Sequence, residues 1–188
     1  MTAQPRERLY TLDDLHEIEQ RPENQDKRYE LIDGVLYEVA GTSAKPTVIA
    51  IRIARHLGNH VDENDLGYVS GADGRFEIDA HNALIPDVGF VSKRRQPQLP
   101  DGPFTIAPDL AVEVVSPSDN IKAVQRKAKR FLMLGTTVVW IVYPDDQTID
   151  VCRLLPDGSM SIQEFGFDDI LDGDDGLPGF QLEVSKIF

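Results

Sequence analysis

The sequence predicts an α/β fold in a single domain spanning residues 1–188, and three observations predict it. Leu110–Val115, apolar but for Glu113, and the unbroken apolar run Val138–Tyr143 have strand length and are rich in β-branched residues, as strands buried on both faces are. Residues 42–64 and 118–134 carry apolar side chains at helical spacing. Hydrophobic residues make up 41% of the 188, and 14 Gly and 12 Pro are spread along the chain rather than gathered in a linker. That is enough apolar material for a sizeable core.

Thr11 opens the first element. Its hydroxyl can cap a short helix in which Asp13 and Asp14 favour the positive end and Leu12, Leu15 and Ile18 share a face, leaving His16 on the solvated side. Arg28–Val39 reads as two short strands joined at Asp33-Gly34, since both residues tolerate positive φ. The helix over 42–64 is expected to begin irregularly around Pro46, to bury Ile49, Ile53 and Leu57, and to fray at Arg55–His60. Strands follow at Gly67–Ser70 and Gly74–Asp79, then an apolar strand, Leu84–Val91, that carries Asp87. Ser92–Ala107 is a Pro- and charge-rich loop, long enough to be functional or mobile.

After the Glu113 strand, Ser118 or Asp119 can cap a helix that Gly135 closes. Val124, Ala128, Phe131 and Leu132 form its apolar side and Lys122, Arg126, Lys127, Lys129 and Arg130 its cations. Val138–Tyr143 is a central strand, and Thr148–Leu154 alternates as a half-solvated one does. A weaker hairpin at Pro156–Ser159 continues to Ile162, and Phe180–Val184 is a last extended piece.

Two of these strands hold a carboxylate where an apolar residue is expected, Asp87 and Glu113. Burying an ionised carboxylate among valines costs several kcal/mol unless a cation or hydrogen-bond donors compensate. Glu113 therefore either lies on a solvated face, pairs with a nearby cation, or forms part of a site. If sheet neighbours bring Asp87 and Glu113 together, the pair repels unless protonated or bridged by a cation, and hard oxygen ligands suit Mg²⁺ or Mn²⁺. Lys127 flanks the apolar stripe of its helix and can reach toward the sheet.

Other chemistries are excluded or demoted. Cys152 is the only cysteine, so no internal disulfide or cysteine-based zinc cluster forms, and it reads as packing. His56 and His60 stand four apart, but no acidic residue fills the place a metalloprotease motif requires. No signal peptide or membrane-length apolar run is seen, and a cytoplasmic protein is expected. The net charge of −13 is unusual for a nucleic-acid binder, although Lys93–Arg95 and Lys122–Arg130 could make a positive face.

In order, Arg28-Tyr29-Glu30-Leu31-Ile32-Asp33-Gly34, Pro86-Asp87-Val88, Ala107–Ser118, Lys127 with Gly135, Trp140-Ile141-Val142, Pro144 and the closing Leu177-Pro178-Gly179-Phe180 resemble the Uma-two family of restriction endonuclease-like proteins. That family belongs to the PD-(D/E)XK nuclease superfamily. The resemblance implies a mixed β-sheet core flanked by helices, with additional β-hairpins, and a Mg²⁺- or Mn²⁺-dependent endonuclease acting on nucleic acid, DNA above all. It implies Asp87 and Glu113 as metal ligands, joined by the Val114 backbone carbonyl. Glu30 takes an additional acidic position, to bind a second metal or orient water.

The lysine expected two residues after Glu113 is Val115 here. The family brings it from the following helix instead, which matches Lys127, with Lys129 as competitor and Phe131 in place of a Tyr. Many relatives carry a Pro-x-x-His stretch where this chain has Lys45-Pro46-Thr47-Val48, so any role of that His is absent. Superfamily members often act as dimers to cut both strands, which makes a homodimer an expectation. A non-enzymatic alternative is a nucleic-acid-binding or protein-interaction module that kept the fold and lost the activity, and the negative charge favours it.

Overall fold

The computed structural model describes residues 8–39, 41 and 43–188; Thr42, where the second helix was expected to begin, and residues 1–7 lie outside them. Helix α1 (Leu12–Glu19) starts as its sequence requires, with the Thr11 hydroxyl accepting the Asp14 N–H and the Asp14 carboxylate accepting the Thr11 N–H in return. Strands β1 (Tyr29–Ile32) and β2 (Val35–Glu38) form the expected hairpin. Asp33 and Gly34 both take positive φ, 53° and 75°. A Cβ on Gly34 would stand 2.7 Å from that of Leu9, so the turn needs glycine for space as well as for its backbone angle.

Helix α2 (Ala44–Glu63) is continuous, against the expectation of an irregular start and a frayed end. Pro46 falls in the first turn, where its missing N–H would have had no helical acceptor. Buried Leu57 and Val61 hold the last turns down, and the His60 ring meets Phe180 edge-on at 5.5 Å.

Strands β3 (Gly67–Ser70) and β4 (Phe76–Asp79) follow. The predicted strand over Leu84–Val91 is two strands, β5 (Asn82–Leu84) and β6 (Val88–Ser92), which lie in different sheets. Pro86 cannot donate to a ladder, and Ile85-Pro86-Asp87 is where the chain crosses between them. His16, expected in solvent, lies with Nε2 2.8 Å from the Glu77 carboxylate of β4. The 92–107 loop is tied down, with Phe104 buried and stacked on Phe76 at 5.1 Å and Arg95 paired with Asp109 at 3.3 Å.

Strand β7 (Leu110–Val114) leads to α3 (Ile121–Met133) and then to β8 (Val138–Tyr143). The cap of α3 is Asn120, not Ser118 or Asp119: its side chain accepts the N–H groups of Lys122 and Ala123, whereas Asp119 takes the Ser116 N–H at 2.7 Å. Strands β9 (Thr148–Leu154) and β10 (Met160–Phe165) pair over their length, beyond the expected stop at Ile162. A short pair, β11 (Ile170–Asp172) and β12 (Gln181–Glu183), carries the closing segment.

The strands build a six-stranded mixed sheet, β10-β9-β8-β7-β6-β3, in which β7 and β8 run parallel and every other neighbour antiparallel. A four-stranded antiparallel sheet, β2-β1-β5-β4, stands beside it. Strand alternation divides the core. Leu110, Val112, Val138, Trp140 and Val142 pack with Ile49, Ile53 and Leu57 of α2 and with Leu177 and Phe180 near the C-terminus. On the opposite face Ala111, Val139, Ile141 and Cys152 pack with Ala128, Phe131 and Leu132 of α3. Glu113, two residues from Ala111, points to the α3 side. No helix among the described residues is long and apolar enough to cross a membrane.

Trp140 is fully buried on the α2 face, away from Glu113. Truncation there leaves a large cavity. Trp140→Ala should therefore cost about 3–5 kcal/mol in urea unfolding, and a loss below about 1 kcal/mol would mean that this core is not packed as described.

Candidate active site

A cleft of about 630 Å³ opens between α3 and the β1–β2 hairpin, and the four side chains singled out in the sequence meet on its floor. Glu113 arrives from β7, Glu30 from β1, Lys127 from α3 and Asp87 from the crossover between β5 and β6. The Lys127 ammonium lies 2.9 Å from Glu30 Oε1 and 2.9 Å from Glu113 Oε1, and donates to Glu113 Oε2 at 3.0 Å and to the Ile85 carbonyl at 2.9 Å. Glu30 Oε1 also accepts the Ile85 N–H at 2.6 Å. Asp87 is fixed by the backbone: its N–H donates to the Val112 carbonyl, and its Oδ2 accepts the Val114 N–H at 2.7 Å. Lys129 lies on the cleft wall and does not reach the carboxylates; Lys127 does.

The helix geometry explains the choice of lysine. Ala128, Phe131 and Leu132 form the buried stripe of α3, and Lys127 sits four residues before Phe131, its Nζ 6.0 Å from the ring centre. Its stem therefore runs along apolar surface while its head reaches the carboxylates.

The electrostatics are those of too many carboxylates around one cation. Glu30 and Glu113 are each only 8% exposed. Burial, reinforced by Asp87 and Glu30 and opposed by Lys127, pushes the Glu113 carboxyl up to about 8. Burial also raises Asp87, against the Val114 N–H and Lys127, with Asp119 and Glu30 adding to the rise. Burial works against the Lys127 ammonium, but Glu113 and Glu30 together hold it above the ordinary lysine range.

The same arrangement bears on a metal. Glu113 Oε1 is shielded from solvent and accepts no hydrogen bond; Lys127 stands at ion-pair distance without hydrogen-bond geometry. An orphaned carboxyl oxygen beside a second acid, Asp87, is a donor set that fits a hard divalent cation, whose charge would favour the ionised form. Among the described residues no three His, Cys, Asp or Glu side chains converge to hold an ion alone. Mg²⁺ suits such a site, because it keeps several waters and needs only one or two carboxylates.

Other residues shape the cleft without having been singled out. Arg130 pairs with Asp33 at 2.7 Å and donates to Asn82 Oδ1 at 3.1 Å, and the same Asn82 oxygen accepts the Asp33 N–H at 3.0 Å. This network fastens the hairpin turn to α3 and so keeps Glu30 over Lys127. Tyr37 stands directly opposite Glu30 in the β1–β2 register. Counting back from the two-residue Asp33-Gly34 turn pairs 32 with 35 and 30 with 37, so this neighbour was available from the sequence. Elsewhere, Cys152 is buried on β9, and burial with the Asp150 charge pushes its thiol up to about 12, as an inert packing cysteine requires.

The sequence model of a family described as "Uma2: Putative restriction endonuclease" matches residues 12–185. A curated relative, "Uncharacterized protein slr1290" of Synechocystis sp., is 32% identical over 97 residues, which are 51% of this chain and 50% of that protein. The chain thus spans about half the length of the curated relative it matches. The fold is similar to a crystal structure from Anabaena variabilis described as "a putative nuclease belonging to DUF820", with a TM-score of 0.78 and 21% identity, covering 95% of this chain and 97% of that one.

The raised Glu113 carboxyl has a consequence for stability. A group whose folded pKa is raised favours the folded state while protonated, and that advantage fades as pH climbs from the unfolded value of 4.5 toward about 8. Without divalent ions, the wild-type protein should lose stability relative to Glu113→Gln over this window, by on the order of a few kcal/mol. Parallel urea titrations from pH 5 to 8.5 read the difference; a constant gap would show that Glu113 is not held protonated.

Proposed function

Because the chain belongs to the Uma2 family, described as "Putative restriction endonuclease", we propose that it is a metal-dependent endonuclease of PD-(D/E)XK type that hydrolyses phosphodiester bonds in DNA. The observation that carries this reading is the pairing of the Lys127 ammonium with both Glu113 and Glu30 at the floor of a cleft that Asp87 also lines.

Asp87 and Glu113 are the side chains that would hold Mg²⁺ or Mn²⁺, with the Val114 carbonyl as a further oxygen. Such an ion, when bound, polarises a phosphodiester and lowers the pKa of a coordinated water. The rest is the work of the chain itself. Lys127 presents a fixed positive charge beside the carboxylates, where it steadies negative charge developing on the phosphate. Glu30 keeps that ammonium charged and aimed, and is the candidate for a second ion or for orienting water. The Asp87 carboxylate is held in place by the Val114 N–H, so binding an ion needs little rearrangement.

The test pairs chemistry with stability. Asp87→Ala should lower Mg²⁺-dependent DNA cleavage by about a hundred-fold or more and leave the circular dichroism spectrum unchanged. Mn²⁺ should raise the melting temperature of the wild-type protein and not that of the variant, because an ion that binds only the folded state stabilises it. Full cleavage by the variant would overturn the reading, and an absent Mn²⁺ response in the wild-type protein would favour a catalytically silent module on the same fold.

A further inference from the structure

The β1–β2 hairpin turns one whole face to the cleft. Arg28, Glu30 and Ile32 alternate along one strand, Val35, Tyr37 and Val39 along the other, and all six line the cavity. Glu30 and Tyr37 are directly opposite, as are Ile32 and Val35. Directly opposite residues of an antiparallel pair share a face, so the Tyr37 ring adjoins the carboxylate that holds Lys127. Tyr37 is 47% exposed and Val35 45%, and across the cleft Met133 of α3 is 57% exposed. Large apolar side chains left open beside buried charges form a platform with no partner of its own in the described chain.

The cations tell the same story. Most of the described Lys and Arg side chains are engaged: Arg28 with Asp73, Lys93 with Asp65, Arg95 with Asp109, Arg130 with Asp33. Among the described residues, Lys122, Arg126 and Lys129 on α3 enter no salt bridge, and Arg126 and Lys129 line the cleft opposite Tyr37. The cleft thus combines one aromatic platform, two unengaged cations and the carboxylate–lysine cluster. It lacks the broad basic surface on which a duplex is held by many phosphate contacts, and the chain as a whole carries −13.

We infer that the cleft takes an unpaired strand of DNA, with a base stacked on Tyr37 and its phosphates drawn to Arg126 and Lys129. In a duplex the faces of the bases are already stacked on one another and offer nothing to an aromatic wall. In a single strand they are free, and stacking supplies affinity that does not depend on a large positive footprint. A strand laid along α3 in this way brings a phosphate to the Asp87–Glu113 floor. Cutting one unpaired strand needs one such site, so the dimer expected for double-strand cleavage is not required. The inference rests on the nuclease reading above and narrows its substrate.

Fluorescence anisotropy with a labelled 20-nucleotide oligothymidylate and with a mixed-sequence duplex of the same length, on the Asp87→Asn protein, reads binding without turnover. The single strand should bind at least about ten-fold more tightly, Tyr37→Ala should weaken it by about five-fold to a hundred-fold, and Tyr37→Phe should restore it. Arg126→Ala with Lys129→Ala should weaken it and flatten its salt dependence. Equal or tighter binding of the duplex, or no effect of Tyr37→Ala, overturns the inference. Wild-type cleavage with Mn²⁺ separates the two readings: efficient cutting of the duplex with no effect of Tyr37→Ala sinks only the single-strand inference. No cutting of either DNA sinks the nuclease reading and this inference with it.

Discussion

The Lys127 ammonium is the point on which the molecule closes. It is bound at 2.9–3.0 Å by oxygens from β1, from β7 and from the β5–β6 crossover, while its own backbone belongs to α3. Four pieces of chain distant in sequence are therefore held to one charge. Taking such a charge and its partners out of water costs several kcal/mol per ion, and only good geometry around every donor offsets it. The ammonium is well supplied, but the carboxylates are not. Glu113 Oε1 is left without a hydrogen bond, and Asp87 adds a second acid. A cluster arranged purely for stability would match its charges; this one keeps an excess of anionic oxygen on the floor of an open cleft.

The fold is arranged so that this excess can persist. The α2 side of the large sheet packs aliphatic and aromatic side chains around Trp140 and carries no charged cluster. The α3 side admits Glu113 only because β7 ends one residue later, leaving its carboxylate at the sheet margin rather than over the middle of the core. The small sheet brings Glu30 in from the other wall, and the Arg130–Asn82–Asp33 network prevents that wall from drifting. Asn82 is 1% exposed, yet its oxygen accepts two N–H groups and its amide donates to Asp79, so a buried polar side chain here is fully satisfied and rigid.

Local pattern carried most of this. The long apolar runs, the capped helices and the Asp33-Gly34 turn are short-range signals, and each appears in the structure near where its residues put it. The cap of α3 was misplaced by local contacts, Asp119 turning back to the Ser116 N–H and leaving the cap to Asn120, but other readings missed what lay outside the local pattern. Leu84–Val91 reads as one strand because its composition never changes, and only Pro86 hinted at the crossing between sheets. His16 keeps the exposed side its helix face gave it, but its pairing with Glu77, sixty-one positions away, had no local signal. Lys93–Arg95 looked like half of a positive face, until Asp65 and Asp109 engaged two of its three charges. In the site, Glu113 and Asp87 stood out as charges in apolar surroundings, whereas Tyr37 and Arg130 have nothing unusual about them until the register and the helix phase place them.

The negative net charge, which argued against a nucleic-acid ligand, takes on a different meaning once the ion pairs are counted. Acidic side chains engage most cations of the described surface, including those near both ends of the chain, as Arg8 with Asp14 and Lys186 with Glu183 illustrate. Three of the cations left over lie on the one helix that also supplies Lys127. A uniformly basic surface would attract phosphate everywhere and hold it for long. An acidic surface with Arg126 and Lys129 left unengaged on one wall of a cleft favours a polyanion along the path that leads to the carboxylates, where a divalent ion would cancel the remaining repulsion. The total of −13 therefore describes the surroundings of the site rather than the site itself, and it selects a ligand by where it may approach more than by how tightly it is held.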